Sequence, residues 1–417
     1  MELKTIDVKE YKEYLERINR VEFLQSDYHA KKLARNGWKI EFIQIRNEDE
    51  IVAGGILAMI PLMKIFKYCY VPRGFIMDYH DERTVREVSS LVRDYLKSKN
   101  VIYMEMDPAI LLQQRDQNGN LVENGFNNFD VIKHLKEANF IHLPLLSGYD
   151  LSKECRWVSV LDLKNKTKEE IFKAFSYSTR QDIRGSEKYC VKVRELKEDE
   201  LEILDTMEKD TSKRHSFDGF SLEYYKDLYA TYGKEHVKTC YAYLDIPAYQ
   251  DKIQNEFKKT EKNIQKIQAF LEEHPGNTKK EKRLKTENEY YLSLQKKLNQ
   301  MDDLKEQFGQ EVPLASCLFI KYAHQIVYLV GASNYEYRLF KGPYAIQWKM
   351  IQEAIEEGYT DYNFYGISGF FEKGQEGYGV FDYKRGFNAD VHEYIGNFIL
   401  PCKPFAFYLY NKLKKVL

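Results

Sequence analysis

The sequence predicts a mixed α/β fold of two similarly ordered units, interrupted by a long helical hairpin. Three observations point to it. Short apolar runs with period-two alternation recur along the chain, separated by amphipathic stretches of helical period. The order strand, strand, helix, strand occurs before Gly148-Tyr149-Asp150 and begins again after it. Between Ile253 and Phe308, apolar residues step by four and three along two arms that flank His274-Pro275-Gly276-Asn277.

In order, residues 5–35 read as helices around a Phe23-Leu24-Gln25-Ser26 link. Residues 38–45 and 51–61 alternate as a hairpin, and the apolar run 52–63 is too short to span a bilayer. A strand over 67–70 ends at the turn Pro72-Arg73-Gly74. A helix over 82–97 leads to a strand over 101–106 that stops at Asp107-Pro108. The second unit reads as a strand over 157–163, a helix over 168–184 and a strand over 190–195. Helices over 199–210 and 222–232 and a strand over 237–244 precede the arm. After it come strands at 314–322 and 325–330, a helix at 345–357 and a strand at 362–365.

The first arm places Ile253, Phe257, Thr260, Ile264, Ile267 and Leu271 on one seam. The second places Leu284, Tyr291, Leu294, Leu298, Met301 and Phe308 there, with Glu287 and Lys305 filling the remaining seam positions. A narrow apolar seam of this kind faces a partner helix. Such an arm is a dimer contact, a brace, or a reach toward something distant, and the pattern alone leaves all three open.

Composition excludes several classes. Lys plus Arg (63) balances Asp plus Glu (64), so no global field marks a nucleic-acid partner. Six scattered cysteines form no C-x-x-C pair, which argues against a disulfide framework or a zinc site and for a reducing, cytoplasmic setting. The residues after Met1 form no apolar signal region. Tyrosine is abundant at 33, and its large ring with a polar tip suits both strands and polar ligand grooves.

An ordered set of motifs then carries a resemblance. The set comprises Lys64-Ile-Phe-Lys-Tyr68 with Pro72-Arg73-Gly74, Tyr103 with Asp107-Pro108, and Ser159-Val-Leu-Asp-Leu163. It continues through Thr211-Ser-Lys-Arg214 with Tyr224-Tyr225, then Gly331-Ala-Ser-Asn334 and Gly342-Pro-Tyr344-Ala-Ile-Gln347-Trp348. Tyr362-Asn-Phe-Tyr-Gly366 and Tyr383-Lys-Arg-Gly-Phe387 complete it. Together these resemble the Fem/Mur family of peptidoglycan interpeptide-bridge aminoacyltransferases, nearly end to end and including the arm.

The resemblance implies two tandem GNAT-like (acyl-CoA N-acyltransferase fold) domains with an inserted antiparallel coiled-coil arm. It divides the chain into residues 1–150, completed by 390–417, then 151–389, with the arm at 247–309. It implies transfer of an amino acid (Ala, Ser or Gly) from aminoacyl-tRNA to the stem-peptide lysine amine, or to a growing bridge. The acceptor is lipid II or UDP-MurNAc-pentapeptide, and no cofactor is needed beyond aminoacyl-tRNA as co-substrate. Two other readings are an acyl-CoA N-acyltransferase and a non-catalytic coiled-coil scaffold. The first needs a pyrophosphate loop of the form Q/R-x-x-G-x-G/A, and the sequence has none.

Site residues follow from the same alignment of motifs. Lys384, beside Tyr383, matches the family's aromatic–lysine pair at the reaction centre, where a cation would stabilise an oxyanion or orient the leaving ribose. Asp107, at a strand end, is a candidate base or acceptor contact, and the identity of the base stays open. Acceptor binding is assigned to Lys31 or Lys32, to Arg73 and Arg214, and to Tyr224, Ser333 and Tyr344. Arg180 and Arg184, one helical turn apart, are further candidates. For tRNA the basic tip Lys279, Lys280, Lys282 and Arg283 is the candidate contact. The terminal stretch 405–417 sets Phe407, Leu409, Tyr410, Leu413 and Leu417 beside Lys412, Lys414 and Lys415, a pattern for docking on the first unit or for lying on the inner membrane face.

Overall fold

The protein is described as a computed structural model covering residues 1–18, 21–62, 65–150, 152–215 and 219–414. Lys64 of the motif set, and Lys415 and Leu417 of the terminal stretch, lie outside the described residues.

The chain opens with β1 (Glu2–Ile6), α1 (Val8–Glu16), a 3-10 turn (Phe23–Gln25) and α2 (Asp27–Arg35). Ser26 caps α2 by accepting a hydrogen bond from the His29 N–H. The hairpin β2 (Lys39–Asn47) and β3 (Glu50–Pro61) follows, then β4 (Lys67–Val71) and β5 (Ile76–Met77). Next come α3 (Glu82–Ser98), β6 (Val101–Met106), β7 (Leu111–Gln114), α4 (Phe129–Glu137) and β8 (Ile141–His142).

The second unit starts with β9 (Trp157–Asp162). The single helix expected over 168–184 is two, α5 (Lys168–Ala174) and α6 (Tyr177–Lys188), because the backbone turns extended at Phe175 and Ser176 caps the next helix through the Thr179 N–H. Then come β10 (Val191–Glu195), α7 (Glu202–His215), α8 (Leu222–Tyr232) and β11 (Val237–Asp245). The arm is α9 (Ile246–Glu273) and α10 (Thr278–Phe308), each on the order of 40 Å long at ~1.5 Å per residue. After it stand β12 (Glu311–Tyr322), β13 (Gln325–Ser333), α11 (Gly342–Glu356), β14 (Asp361–Gly366) and α12 (Tyr378–Arg385). The chain closes with β15 (Asp390–Tyr394), β16 (Phe398–Pro401) and α13 (Pro404–Lys414).

These strands form two sheets. One runs β1-β2-β3-β4-β6-β16-β8, with β5 on β3, and the other β10-β11-β12-β13-β14-β9-β15-β7. Strand membership departs from the expected boundaries at two places. β7 comes from the first 150 residues yet pairs with β15 in the second sheet, and β15 itself pairs with β9 there. Among the described residues of the segment 390–417, β16 and α13 complete the first unit. Ion pairs fix the exchange: Glu393 on β15 accepts from Arg115, just past β7, at 2.7 Å and also pairs with Arg156, just before β9. Both guanidiniums lie within about 5 Å of the Trp157 ring, a cation–π arrangement.

Among the described residues each sheet holds one parallel pair. β4 and β6 stay together along their length, from Lys67 beside Val101 to Val71 beside Met106. β13 and β14 pair only from Gln325 beside Asp361 to Val327 beside Asn363 and then part. The divergence opens a wedge at their carboxyl ends, the end of an α/β sheet where ligands bind.

In the arm, Ile253, Thr260, Ile264 and Ile267 bury against Leu294 and Met301, and the Phe257 and Tyr291 rings stack at 4.2 Å. The seam position expected for Lys305 belongs to Leu304, which is buried while Lys305 is exposed. An apolar side chain one residue away takes the core place and leaves the ammonium in water. The arm's root is not independent of the second unit, since Ile246, Tyr249 and Ile253 join the core under α6 and α11.

Candidate active site

The carboxyl ends of both parallel pairs meet at the junction of the two units. After β4, the turn residue Arg73 adopts a left-handed backbone with φ 56°. Its N–H and Nη1 both donate to Asp107, at 3.0 and 3.1 Å, and the Tyr70 hydroxyl donates to the same carboxylate at 2.7 Å. Arg73 is 3% exposed and its guanidinium lies 4.4 Å over the Tyr394 ring. Its Nη2 crosses to the second unit and donates to the Cys155 carbonyl at 3.2 Å. Burial pushes the Asp107 carboxyl up to about 6, against the pull of Arg73 and the Tyr70 hydroxyl.

Asp107 is thus committed to Arg73, and the pair clamps the two units. Removing one partner of a buried ion pair strands the other in low dielectric at about 3–5 kcal/mol. Asp107→Ala should therefore destabilise the protein by that order. A chemical-denaturation midpoint equal to the parent's would remove the clamp from this account.

Lys384 lies on α12, is 5% exposed, and acts on Cys155 as Arg73 does. Its Nζ donates to the carbonyls of Tyr365 at 3.2 Å and Gly366 at 2.7 Å, at the carboxyl end of β14. These carbonyls turn inward because β14 bulges after Asn363 and Tyr365 takes a left-handed φ of 63°. An aromatic residue held there stores strain, on the order of 1–3 kcal/mol, which packing must offset. Burial lowers the Lys384 ammonium from its ordinary value to about 7. Among the described residues no carboxylate pairs with it.

Glu154 links the groups and carries no recognisable signal in the sequence. It lies in an unpatterned loop, Ser152-Lys153-Glu154-Cys155, before β9. Its Oε2 accepts from the Tyr365 hydroxyl at 2.7 Å, and its charge acts on Lys32, Arg73, Asp107 and Tyr224. Lys32 on α2 lies 4.1 Å over the Tyr224 ring of α8, and burial lowers its ammonium to about 8. Lys31 points elsewhere and donates to the Ala230 carbonyl.

A surface cleft of about 750 Å³ holds the next group. Arg214 donates from Nη2 to the Ser333 carbonyl at 2.8 Å, and its guanidinium lies 5.2 Å from the exposed Tyr335 ring. Arg338 covers the same ring at 4.2 Å. Lys213 of α7 and Asn334, just past β13, also line this cleft, and because β13 runs parallel to β14 its carboxyl end points the same way as the end of β14 that Lys384 caps.

Other expected residues serve the frame. Tyr383 and Tyr344 pack against each other at 5.1 Å, and the Tyr383 hydroxyl is buried with no hydrogen-bond partner among the described residues. Arg180 closes the end of α5 by donating to the Lys173 and Phe175 carbonyls, and Arg184 covers the Phe172 ring. Lys279, Lys280, Lys282 and Arg283 lie in the first turns of α10, where the helix dipole disfavours cations. Lys280 alone leans inward, 5.1 Å over the Phe270 ring. Among the described residues no group of His, Cys, Asp and Glu could hold a metal ion, and no helix is long and apolar enough to cross a membrane.

Comparison with known proteins agrees with this architecture. The solved crystal structure of FemX superposes with a TM-score of 0.79 over 98% of this chain and 99% of that one, at 20% identity. Aminoacyltransferase FemA of Staphylococcus epidermidis is 31% identical over 417 residues, covering all of both chains. Aminoacyltransferase FemA of Staphylococcus aureus is 31% identical over 420 residues, covering 100% of this chain and 99% of its own. The FemAB family model matches residues 6–415, and on that span the chain belongs to the FemAB family.

Proposed function

We propose that this chain moves an amino acid from aminoacyl-tRNA to a primary amine of a peptidoglycan precursor, lipid II or its nucleotide-linked counterpart. Family membership makes it an aminoacyltransferase. The donor, the acceptor and a cytoplasmic location at the inner membrane face are the reading advanced here. One observation carries it: a buried lysine, bonded among the described residues to backbone carbonyls alone, stands at the mouth of the wedge between β13 and β14.

The chemistry asked of the site is modest. The acceptor amine attacks the ester carbonyl that joins the amino acid to the tRNA ribose. A C–N bond forms, the ester C–O bond breaks, and the amine proton ends on the ribose oxygen. The ester is already activated, so alignment and exclusion of water supply most of the rate. Charge develops on the carbonyl oxygen of the tetrahedral intermediate, where the Lys384 ammonium would stabilise it. Glu154, which accepts from the hydroxyl of the same Tyr365 whose carbonyl holds Lys384, would relay the amine proton in place of Asp107, which is held by Arg73. Lys32 and Tyr224 would hold the acceptor's polar body, and Arg214 with Ser333 its anionic end. The cations at the arm tip would meet tRNA phosphates, which accounts for their tolerance at a helix start that disfavours them.

The direct test supplies purified protein with charged tRNA pools and lipid II, then weighs the products. A mass gain of one aminoacyl residue is expected. Gain from acyl-CoA with none from charged tRNA would overturn the proposal.

Arg214→Ala should raise KM for the precursor about tenfold with little change in kcat, since an anionic partner is bound alike in ground and transition states. Steady-state kinetics at fixed aminoacyl-tRNA check this, and an unchanged KM would reject the assignment.

A further inference from the structure

One face of α13 docks on the protein and the other faces out. Phe407 is buried, and Ala406 and Tyr410 are partly buried beside Ile102, Tyr103 and Ile399 of β6 and β16. On the opposite side Phe405, Tyr408, Leu409, Lys412 and Leu413 follow the spacing i, i+3, i+4, i+7, i+8 and form one stripe. Phe405 and Leu413 are each 77% exposed, and Tyr408 and Leu409 are exposed as well. Isolated exposed apolar residues need no explanation, but a continuous stripe of four on one helix does.

Two further features accompany the stripe. Residues 398–414 contain no acidic side chain, while Lys403, Lys412 and Lys414 edge the helix. The Lys412 Nζ rides 4.8 Å over the Tyr408 ring and the Lys403 Nζ 5.7 Å over the Phe66 ring, so their charged heads follow the apolar rim. Ile65, 70% exposed, stands beside Phe66, and both Leu62 and Phe66 pack on the cluster that holds Phe407. An apolar strip with a wholly basic edge matches a surface that is apolar below and anionic above. A second copy of the chain fits it poorly, because a self-complementary contact would bring these lysines toward their own counterparts.

We propose that the exposed stripe of α13, with Ile65 beside it, is a docking surface for an anionic lipid bilayer. The surface is separate from the reaction centre. Ile102 and Asp107 lie five residues apart along one extended strand, roughly 17 Å at ~3.4 Å per residue. The inference therefore stands whether or not the transfer reaction is as proposed.

Flotation of the full chain with vesicles tests it. Vesicles of phosphatidylglycerol mixed into phosphatidylcholine should carry the protein at least about tenfold better than phosphatidylcholine alone, and added salt should weaken the binding. Phe405→Ser combined with Leu413→Ser, and separately Lys412→Glu combined with Lys414→Glu, should each abolish flotation. Because these side chains are exposed, the thermal midpoint should not move, and transfer to a lipid-free acceptor analogue should match the parent. Absence of flotation would overturn the proposal, as would equal binding to neutral and anionic vesicles. So would a concentration-dependent dimer, seen by light scattering, that Phe405→Ser with Leu413→Ser abolishes.

Discussion

Lys384→Met should lower turnover at saturating substrates by at least about tenfold, a loss of ~1.4 kcal/mol of transition-state stabilisation. Methionine fills much of the same buried volume but places no charge near the carbonyls of Tyr365 and Gly366. The pH profile separates a charge role from a packing role. Burial holds the Lys384 ammonium near 7, far below its ordinary 10.5. In the free protein the required cation is lost as pH rises through that value, so kcat/KM should fall there. Lys384→Arg, charged throughout this range, should remove that limb. Stability moves the other way. Between about 7 and 10.5 the unfolded chain keeps a proton that the folded chain has released, so stability rises with pH across that window. Lys384→Met should flatten the rise. Parent-like turnover and an unchanged pH profile in the methionine variant would remove Lys384 from the mechanism.

Excising the outer arm should have the second largest effect. Replacing residues 261–293 with a short Gly/Ser linker leaves Ile253, Met301 and Leu304 on the core at the arm's root. Both sheets should then stay folded, because the removed part packs along the arm's own seam, where Tyr291 meets Phe257, and not in the core beneath the sheet. Affinity for tRNA should fall at least about tenfold, and the steep salt dependence of what remains should flatten as phosphate contacts disappear. Binding of a soluble precursor analogue should persist. If the shortened protein binds and uses aminoacyl-tRNA like the parent, the arm is a brace and the tRNA contact lies on the paired units.

What the sequence made legible was whatever has a local period or a local cap. The helix expected over 222–232 has those bounds in the structure, and the hairpin of β2 and β3 and the two arm helices stand where their patterns put them. Ser176 was a readable signal for the break between α5 and α6, overridden by the helical period on either side. The strand exchange had no such signal. β7 and β16 are four residues long, and their partners lie hundreds of positions away. The same holds at the site. The aromatic–lysine pair and the Pro-Arg-Gly turn were visible as motifs, but that Asp107 spends its charge on Arg73 is a matter of three-dimensional proximity. Glu154 earns its place through the Tyr365 hydroxyl, a contact between a loop and a bulged strand that no spacing records.

The placement of β16 has a consequence for how the protein is made. It lies inside the first sheet, between β6 and β8, not at its edge. During synthesis β6 leaves the ribosome roughly 290 residues ahead of β16, which at ~5–20 residues per second is on the order of 15–60 s. Through that interval β6 presents an unpaired strand edge, the kind of template that invites wrong partners. The amino-terminal half of this chain is therefore not a unit that matures first and waits. Its sheet closes only as the carboxyl-terminal strand arrives, by which time every strand of the second sheet has been made, so the nascent chain is exposed to misassembly for most of its translation.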